Sequence, residues 1–242
     1  MEEVSDRLRI RIARKEFPAV GAQGANLVIE DLDVSIEPRS FVVLTGPSGC
    51  GKSTLLNIVA GLDTDFEGAI DLGNWVRRKT FVFQTPRLLP WRTVYDNIAL
   101  SLPEGDPRRA NIAGLVERVG LTDKVNAYPE RLSLGMQRRV ALVRGFVQEP
   151  DLLLMDEPFV SLDDPTAQEL RQLLIDLWHR VRTTVLFVTH DRTEAVMLAT
   201  RILRLGGGAA TRLDDFDVGL TRQQRRDSEA VRLEQNRIFG AS

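Results

Sequence analysis

Two kinds of hydrophobic pattern alternate along the chain. Short, continuous apolar runs occur in "SFVVLT", "DLLLMDEP" and "TTVLFVTHD", and each run is bounded by polar or turn-forming residues. Such runs are typical of strands that are buried on both faces of a parallel sheet. Helical periodicity follows the first run from Ser53 onward and appears again in segments 165–181 and 192–202. The alternation predicts an α/β fold with a parallel sheet.

Three other segments have different patterns. Residues 4–43 alternate apolar and polar positions, which predicts antiparallel strands packed beside the core. Residues 87–138 carry several helical patterns interrupted by prolines, which predicts an inserted helical subdomain. Residues 209–242 are polar and weakly periodic, so we expect a tail that is at most partly ordered. The sequence thus predicts one domain over residues 1–208, followed by this polar tail.

The composition narrows the classes of partner. A formal net charge of -2 gives no overall attraction to nucleic acid, and no long basic run with interleaved aromatic residues occurs. The longest apolar runs fall far short of the roughly 20 residues that a membrane-spanning helix needs. The opening stretch "MEEVSDRLRIRIARKEF" mixes both charge signs without an apolar block, which argues against a secretory signal. We therefore expect a cytoplasmic protein without a nucleic-acid partner.

The stretch "GPSGCGKST" has the spacing of a phosphate-binding P-loop, with a glycine, four residues and then Gly-Lys-Ser. Glycines let such a loop turn its main-chain N–H groups inward, at a helix N-terminus whose dipole favours an anion. Lys52 supplies a positive charge for the β and γ phosphates, and the hydroxyl of Ser53 can bind Mg²⁺. A chance glycine-rich turn is the alternative, and the predicted strand before the loop and helix after it argue against that. The predicted nucleotide-binding residues of the loop are Gly46, Pro47, Ser48, Gly49, Cys50, Gly51, Lys52, Ser53 and Thr54.

Two more predicted strands end in residues that suit phosphate chemistry. Asp156 and Glu157 come at the carboxyl end of one apolar run, where ligands bind in open α/β sheets. An aspartate there can hold Mg²⁺ through water, and a neighbouring carboxylate can deprotonate an attacking water. His190 ends a second run, where it could contact a γ phosphate. Solvated acids and a structural histidine are the alternatives, and the P-loop favours the functional interpretation.

The order of the motifs indicates a family. "GPSGCGKST", Gln84, "LSLGMQRRV", "LLLMDEP", "SLDD" and "THD" follow one another as in the ATP-binding cassette (ABC) ATPases, which the chain resembles over nearly its whole length. The resemblance implies a P-loop NTPase (RecA-like) core with a mostly parallel sheet, an antiparallel β subdomain and an inserted α-helical subdomain. It also implies an ATP-binding and ATP-hydrolysing subunit that dimerises around two ATP molecules and uses Mg²⁺.

The resemblance further implies roles in catalysis and in metal binding. Glu157 would be the catalytic base, His190 the switch histidine and Gln84 the Q-loop residue. Mg²⁺ would be bound by Ser53, Gln84 and Asp156.

Other nucleotide contacts are implied outside the P-loop. Ser133 and Gly135 would form the signature, which caps ATP bound to a second subunit, and Asp163 would be the D-loop aspartate. A serine at a helix N-terminus can donate its hydroxyl and main-chain N–H to a γ phosphate. Phe17 would stack on adenine, with a place in a strand core as an equal alternative.

The signature departs from the LSGGQ sequence that is common in the family. Leu134 occupies its third place and Met136 its fifth. The Cβ of Leu134 could push the loop away from phosphate or could point outward. One hypothesis is therefore a cassette that binds ATP mainly to dimerise.

Residues 84–100, "QTPRLLPWRTVYDNIAL", resemble the segment after the Q-loop in importer ATPases of the nitrate, sulfonate and taurine type. In those importers the segment receives a helix of the membrane subunit, so Leu88, Leu89 and Trp91 form a predicted docking cluster. Packing of these residues inside the helical subdomain is the alternative.

The resemblance to importers also implies which partners the chain binds and where in the cell it lies. The implied partners are a second ATPase subunit, integral membrane permease subunits and a substrate-binding protein. The chain would lie at the cytoplasmic face of the inner membrane and drive import of a small anion, a sulfonate or a related nutrient. An ABC ATPase of a lipid or other exporter is one alternative, and an ABC ATPase of DNA repair or translation is another.

Overall fold

The computed structural model describes residues 6–19, 24–206 and 213–240. The chain divides into two compact units. The first unit comprises Met1–Arg77 and Thr184–Ser242, and the second unit comprises Arg78–Thr183. None of the helices within the described residues has the length and apolar character needed to cross a bilayer.

The described residues contain nine strands and seven α-helices. The strands are β1 (Leu8–Phe17), β2 (Asn26–Ile36), β3 (Phe41–Thr45), β4 (Glu67–Asp71), β5 (Lys79–Val82), β6 (Leu152–Asp156), β7 (Thr184–Val188), β8 (Arg201–Leu205) and β9 (Leu213–Asp217). The helices are α1 (Lys52–Ala60), α2 (Val94–Ala99), α3 (Ile112–Arg118), α4 (Leu134–Phe146), α5 (Asp164–Val181), α6 (Arg192–Leu198) and α7 (Ser228–Phe239). Short 3₁₀ turns lie at Pro107–Asn111, Thr122–Lys124, Pro129–Arg131 and Gln224–Arg226.

An antiparallel sheet in the first unit has the order β2-β1-β4. In its central strand β1, Leu8, Ile10 and Ile12 are buried while their neighbours are exposed. This period of two places one face of the strand against the core. The prediction of antiparallel strands in residues 4–43 is confirmed for β1 and β2.

A parallel arrangement in the first unit carries the P-loop. Strand β3 pairs in parallel with β7 on one side and with β8 on the other. All five residues of β3 are buried, as expected for a strand covered on both faces. The chain leaves β3 at Thr45 and enters α1 at Lys52, so the predicted strand, loop and helix are all present.

The second unit combines one parallel strand pair with most of the helices. Strands β5 and β6 are parallel, and β6 is the predicted apolar run that ends at Asp156. Helices α2 and α3 and the start of α4 lie where helical patterns occur in residues 87–138. Helix α5 begins after Asp163 and spans the predicted helical segment 165–181. The boundaries of a helical subdomain stay a prediction.

The helix predicted over residues 192–202 is shorter in the structure. Helix α6 ends at Leu198, and β8 begins at Arg201. The main-chain N–H of Thr200 donates to the carbonyl of Phe41 at 2.8 Å, and Arg201 pairs with Val42 in the parallel ladder. Pairing with β3 therefore ends the helix, although the apolar periodicity continues through it.

The expectation of a weakly ordered tail is wrong for residues 213–240. Strand β9 pairs antiparallel with β8, and helix α7 follows. Two arginines of β8 each contact an aspartate of β9 through two nitrogens, and the pairs are Arg201–Asp215 and Arg204–Asp214. Polar pairing thus orders a segment whose sequence has little apolar periodicity.

Candidate active site

The P-loop geometry requires glycine at two places. Gly46 has a φ of 147°, and a Cβ there would lie 2.5 Å from the Leu205 carbonyl oxygen. Gly51 has a φ of 94°, and its Cβ would lie 2.9 Å from the Cγ1 of Val28. L-residues rarely adopt a positive φ, and both clashes involve closely packed neighbours. Only glycine fits here, so the loop keeps the close main-chain turn that a phosphate cradle needs.

Lysine and hydroxyl groups of the P-loop occupy the positions that the motif predicts. Lys52 is the first residue of α1 and is buried, with its Nζ 2.9 Å from the carbonyl oxygens of Gly46 and Pro47. Its positive charge is thus held directly over the loop. Ser53 is exposed in the first turn of α1, and Thr54 is half-buried. The residues that could hold a nucleotide phosphate therefore fit that group sterically and in charge.

The structure brings His190 to the start of the P-loop, within the first unit. A cavity of 540 Å³ is lined by Gly46, Pro47, Ser48 and His190, among others. The histidine follows Thr189 just beyond β7, where the sequence predicted it. Two predicted site segments that are far apart in the sequence thus face one cavity.

The predicted carboxylates lie in the second unit at the end of β6. Asp156 is the last residue of the strand, and Glu157 follows it with a φ of 41°. Both residues are half-buried. A glutamate in the left-handed region is uncommon, and such strained positions are frequent in functional sites. Two carboxylates therefore lie next to each other in sequence at the end of β6, directly where the strand gives way to a left-handed turn.

The signature region starts helix α4. Ser133 is the N-cap residue, and its Oγ accepts a hydrogen bond from the main-chain N–H of Met136 at 3.3 Å. Leu134 has an exposed side chain (43%), so its Cβ does not prevent the cap from forming. Gly135 is buried, and a Cβ there would lie 2.8 Å from the Cγ2 of Thr166.

Asp163 lies next to this signature through Thr166. The Oδ2 of Asp163 caps α5 by accepting hydrogen bonds from the main-chain N–H of Thr166 at 3.1 Å and from its hydroxyl at 3.0 Å. These hydrogen bonds from Thr166 lower the pKa of Asp163. Since the Thr166 methyl faces Gly135, the structure joins the predicted signature and the predicted D-loop aspartate within the second unit.

Gln84 and Phe17 lie at exposed positions. Gln84 is in a bend two residues after β5, in the second unit. Phe17 ends β1 in the first unit, with 41% of its surface exposed and with the Nζ of Lys15 4.7 Å from its ring centroid. The exposed ring is not part of a strand core, and its stacking on adenine stays a prediction.

Two arginines of α4 hold the loops that carry predicted site residues, and sequence reasoning missed both. Arg138 is buried and donates to the carbonyl oxygens of Pro158, at 2.5 Å, and Val160, just after Glu157. Arg144 donates to the carbonyl oxygens of Pro86 at 2.7 Å and Arg87 at 3.0 Å, shortly after Gln84. Burial lowers the pKa of Arg144. An arginine on a helix is usually solvated, so no sequence pattern indicates these contacts.

Replacing Arg138 with Met is expected to destabilise the protein by about 2–4 kcal/mol. A hydrogen bond from a charged donor contributes about 1.5–3 kcal/mol, and the substitution leaves two carbonyl groups without this donor. Arg138→Lys should retain one of the two bonds and lose about half as much stability. Urea denaturation of the purified chain measures both losses, with the exposed Arg118→Met on α3 as the control. An Arg138→Met variant as stable as this control would contradict the prediction.

Comparisons with known proteins identify the family of the chain. The family model described as ABC transporter matches residues 29–160. The chain is 44% identical over 227 residues to the aliphatic sulfonates import ATP-binding protein SsuB 1 of Pseudomonas savastanoi, covering 93% of this chain and 92% of that protein. It is 42% identical over 201 residues to the aliphatic sulfonates import ATP-binding protein SsuB of Bacillus subtilis, covering 81% of this chain and 79% of the relative.

Solved structures of similar fold are also ABC cassettes. The ATP-binding cassette MJ0796, in a dimeric post-hydrolysis state bound to ADP and Pi, superposes with a TM-score of 0.73 at 28% identity. The match covers 88% of this chain and 100% of that chain. The predicted fold class, family and ATPase activity are thereby confirmed. The chain therefore belongs to the ABC transporter family, as an ATP-binding and ATP-hydrolysing subunit.

Proposed function

We propose that two copies of the chain close around two ATP molecules and drive import of an organosulfonate or a similar small anion through a membrane permease. The geometry of the P-loop carries the proposal that the chain binds ATP. Gly46 and Gly51 have no space for a side chain, and Lys52 is held over the turn. Support for import comes from relatives that are named as aliphatic sulfonates import ATP-binding proteins. The chain would then lie at the cytoplasmic face of the inner membrane, beside its permease.

Different residues of the chain would bind the metal, bind the phosphates and activate the water during ATP hydrolysis. Ser53, Asp156 and Gln84 would hold Mg²⁺, which would neutralise charge on the β and γ phosphates. Lys52 and the P-loop N–H groups would bind the phosphates. Glu157 would take a proton from the attacking water, because its carboxylate directly follows the strand that ends at Asp156.

The remaining predicted residues would complete the site. His190 would contact the γ phosphate, in keeping with its place beside Pro47 and Ser48 in one cavity. Ser133 and Gly135 would cap ATP bound to the second copy, and Asp163 would support that contact through Thr166. The exposed Leu134 allows a formed cap, which favours active turnover over a cassette that only dimerises.

The permease would dock on the surface that includes Trp91, Tyr95 and Tyr128. These aromatic side chains are 69%, 37% and 44% exposed. The main-chain N–H of Tyr95 donates to Val125 O at 2.9 Å, which ties the two segments together. Leu88 and Leu89 are half-buried, whereas Trp91 is exposed. In the predicted docking cluster, the two leucines therefore pack partly against the chain itself, and Trp91 is accessible to a partner.

Asn97 gives this docking surface a fixed shape. Its side chain is fully buried and donates to the carbonyl oxygens of Leu89, Arg92 and Thr93 at distances of 3.1, 3.0 and 2.9 Å. Its Oδ1 also accepts from the main-chain N–H of Leu89 at 2.8 Å. A rigid loop loses little conformational entropy on binding, which suits a permanent partner.

Reconstitution with a permease and a substrate-binding protein tests the proposed function. We expect ATP hydrolysis by the assembled transporter to rise when the binding protein is loaded with an alkanesulfonate and to stay low when it is empty. Stimulation by lipid without any binding protein would instead indicate an exporter. A binding protein loaded with an amino acid serves as the control for specificity.

Trp91→Glu is expected to weaken the complex with the permease by roughly 30-fold. An exposed aromatic anchor contributes about 2 kcal/mol or more to an interface, and a buried charge adds a desolvation cost. Leu62→Glu is the matched control, because Leu62 is 62% exposed and lies in the first unit. Titration of labelled chain against the permease in nanodiscs measures both affinities. Equal affinities for the two variants would contradict docking at Trp91.

A further inference from the structure

Helix α6 begins two residues after the predicted switch histidine, His190. Asp191 is its N-cap residue and accepts from the main-chain N–H of Glu194 at 2.9 Å. The hydroxyl of Thr189 donates to Glu194 Oε2 at 2.7 Å and accepts from the main-chain N–H of Asp191 at 3.0 Å. These bonds connect the residues on both sides of His190 to one short helix. The position of His190 therefore depends on where α6 lies.

The C-terminal segment holds the carboxyl end of α6. Arg225 is buried, and its Nη1 donates to the carbonyl oxygens of Met197 at 2.8 Å and Val196 at 3.3 Å. The last carbonyl groups of a helix carry partial negative charge and have no partner within the helix. Burial lowers the pKa of Arg225, which shows the desolvation cost of placing this charge there.

The same segment also contacts the amino end of α6. The guanidinium of Arg192, the first residue of α6, lies 5.5 Å from the ring centroid of Phe239, near the end of α7. Arg204 of β8 donates to the carbonyl oxygen of Ile238 at 3.3 Å, which fixes the end of α7. Phe239 lines the 540 Å³ cavity together with His190. The contacts at Arg225 and Phe239 are called the tail clamp below.

We propose that the tail clamp sets the position of His190 during ATP hydrolysis, so that Arg225 and Phe239 are positioning residues. The proposal rests on the proposed role of His190 at the γ phosphate. The tail clamp contacts α6 at both ends, and α6 has only seven residues. A short helix held at two ends moves as a rigid body, so loosening one end shifts the residue attached to it. A misplacement of about 1 Å can lower a rate by as much as 100-fold.

A substitution of Phe239 can distinguish this positioning role from an effect on overall stability. Its side chain is half-buried at the edge of the cavity, whereas Val231 and Ile238 of the same helix are buried in the core. Removal of the Phe239 ring therefore leaves the core contacts of α7 in place. The Arg192 guanidinium then loses the aromatic face against which it lies.

Steady-state ATP hydrolysis by the full chain tests the tail clamp. We expect Phe239→Ala to lower kcat about tenfold and to leave the KM for ATP within about twofold, because the phosphate-binding residues are unchanged. Phe239→Trp, which keeps an aromatic face, should restore kcat to within about twofold of the wild type. Leu233→Ala is the matched control, because Leu233 is an exposed residue of the same helix. Thermal unfolding of each variant is recorded in parallel.

His190→Ala separates failure of this inference from failure of the proposed function. If His190→Ala lowers kcat and Phe239→Ala does not, the tail clamp is overturned while the role of His190 stands. If His190→Ala leaves kcat unchanged, the role of His190 fails and the inference fails with it. An equal loss of kcat and of thermal stability in Phe239→Ala and Leu233→Ala would show a merely structural role and would also overturn the inference. Loss of kcat in Phe239→Ala and His190→Ala, with rescue by Trp, supports it.

Discussion

Glu157→Gln is expected to lower the rate of ATP hydrolysis by a factor of about 100 or more, while ATP still binds. A general base contributes about 10²–10⁴-fold to a rate, and an amide cannot accept the proton of the attacking water. Glutamine has nearly the same size as glutamate, so the backbone turn at Glu157, with its φ of 41°, need not change. The variant therefore isolates the effect of the carboxylate charge.

Hydrolysis and dimerisation should be measured together for this variant. Phosphate release gives the turnover, and light scattering with Mg-ATP gives the mass of the complex. We expect the Glu157→Gln variant to accumulate as an ATP-bound dimer, because hydrolysis would otherwise separate the two copies. Glu117→Gln is the control, since it makes the same chemical change at an exposed position on α3. Wild-type turnover in the Glu157→Gln variant would rule out Glu157 as the base.

Gly46→Ala is expected to abolish Mg-ATP binding and to destabilise the first unit. The new Cβ would lie 2.5 Å from the Leu205 carbonyl oxygen and 2.8 Å from the Sγ of Cys50, at a φ of 147°. Overpacking costs about 1–3 kcal/mol, and a non-glycine residue at such a φ adds a similar backbone strain. The loop must move to relieve this strain, and Lys52 loses its place against the Gly46 and Pro47 carbonyl oxygens.

Gly49→Ala is the matched control on the same loop. Gly49 also has a positive φ, of 81°, but a Cβ there meets nothing within 4 Å. We therefore expect only the backbone strain of about 1–2 kcal/mol in Gly49→Ala. Isothermal titration with Mg-ATP and thermal unfolding distinguish the two variants. Similar losses in both variants would mean that the close approach to β8 does not shape the P-loop.

Local patterns in the sequence predict much of the fold and of the site. A continuous apolar run followed by glycines and a helical period places β3, the P-loop and α1 without reference to any distant residue. The same reasoning places Asp156, Glu157 and His190 at strand ends. It works because a strand buried on both faces must be apolar throughout, and ligands gather where such strands end.

Other features could not be predicted because they depend on residues that are distant in the sequence. Arg144 and the carbonyl of Pro86 are 58 positions apart, and no periodicity of α4 indicates that contact. The helix predicted through residue 202 ends at Leu198 because main-chain pairing with β3 outweighs the local apolar period.

By itself, the sequence determined the parallel core and the phosphate-binding loop, because each is a local pattern of residue types, and it determined the family through the order of the motifs along the chain. Only the tertiary structure shows that the C-terminal segment forms a strand and a helix. Its strand and helix are held by arginines that meet partners elsewhere, such as Arg204 with Asp214 and Arg225 with Met197. A polar segment predicts a solvated tail, because charged side chains are usually exposed. Such a side chain can be buried only when a partner lies beside it, and the sequence does not show where that partner is.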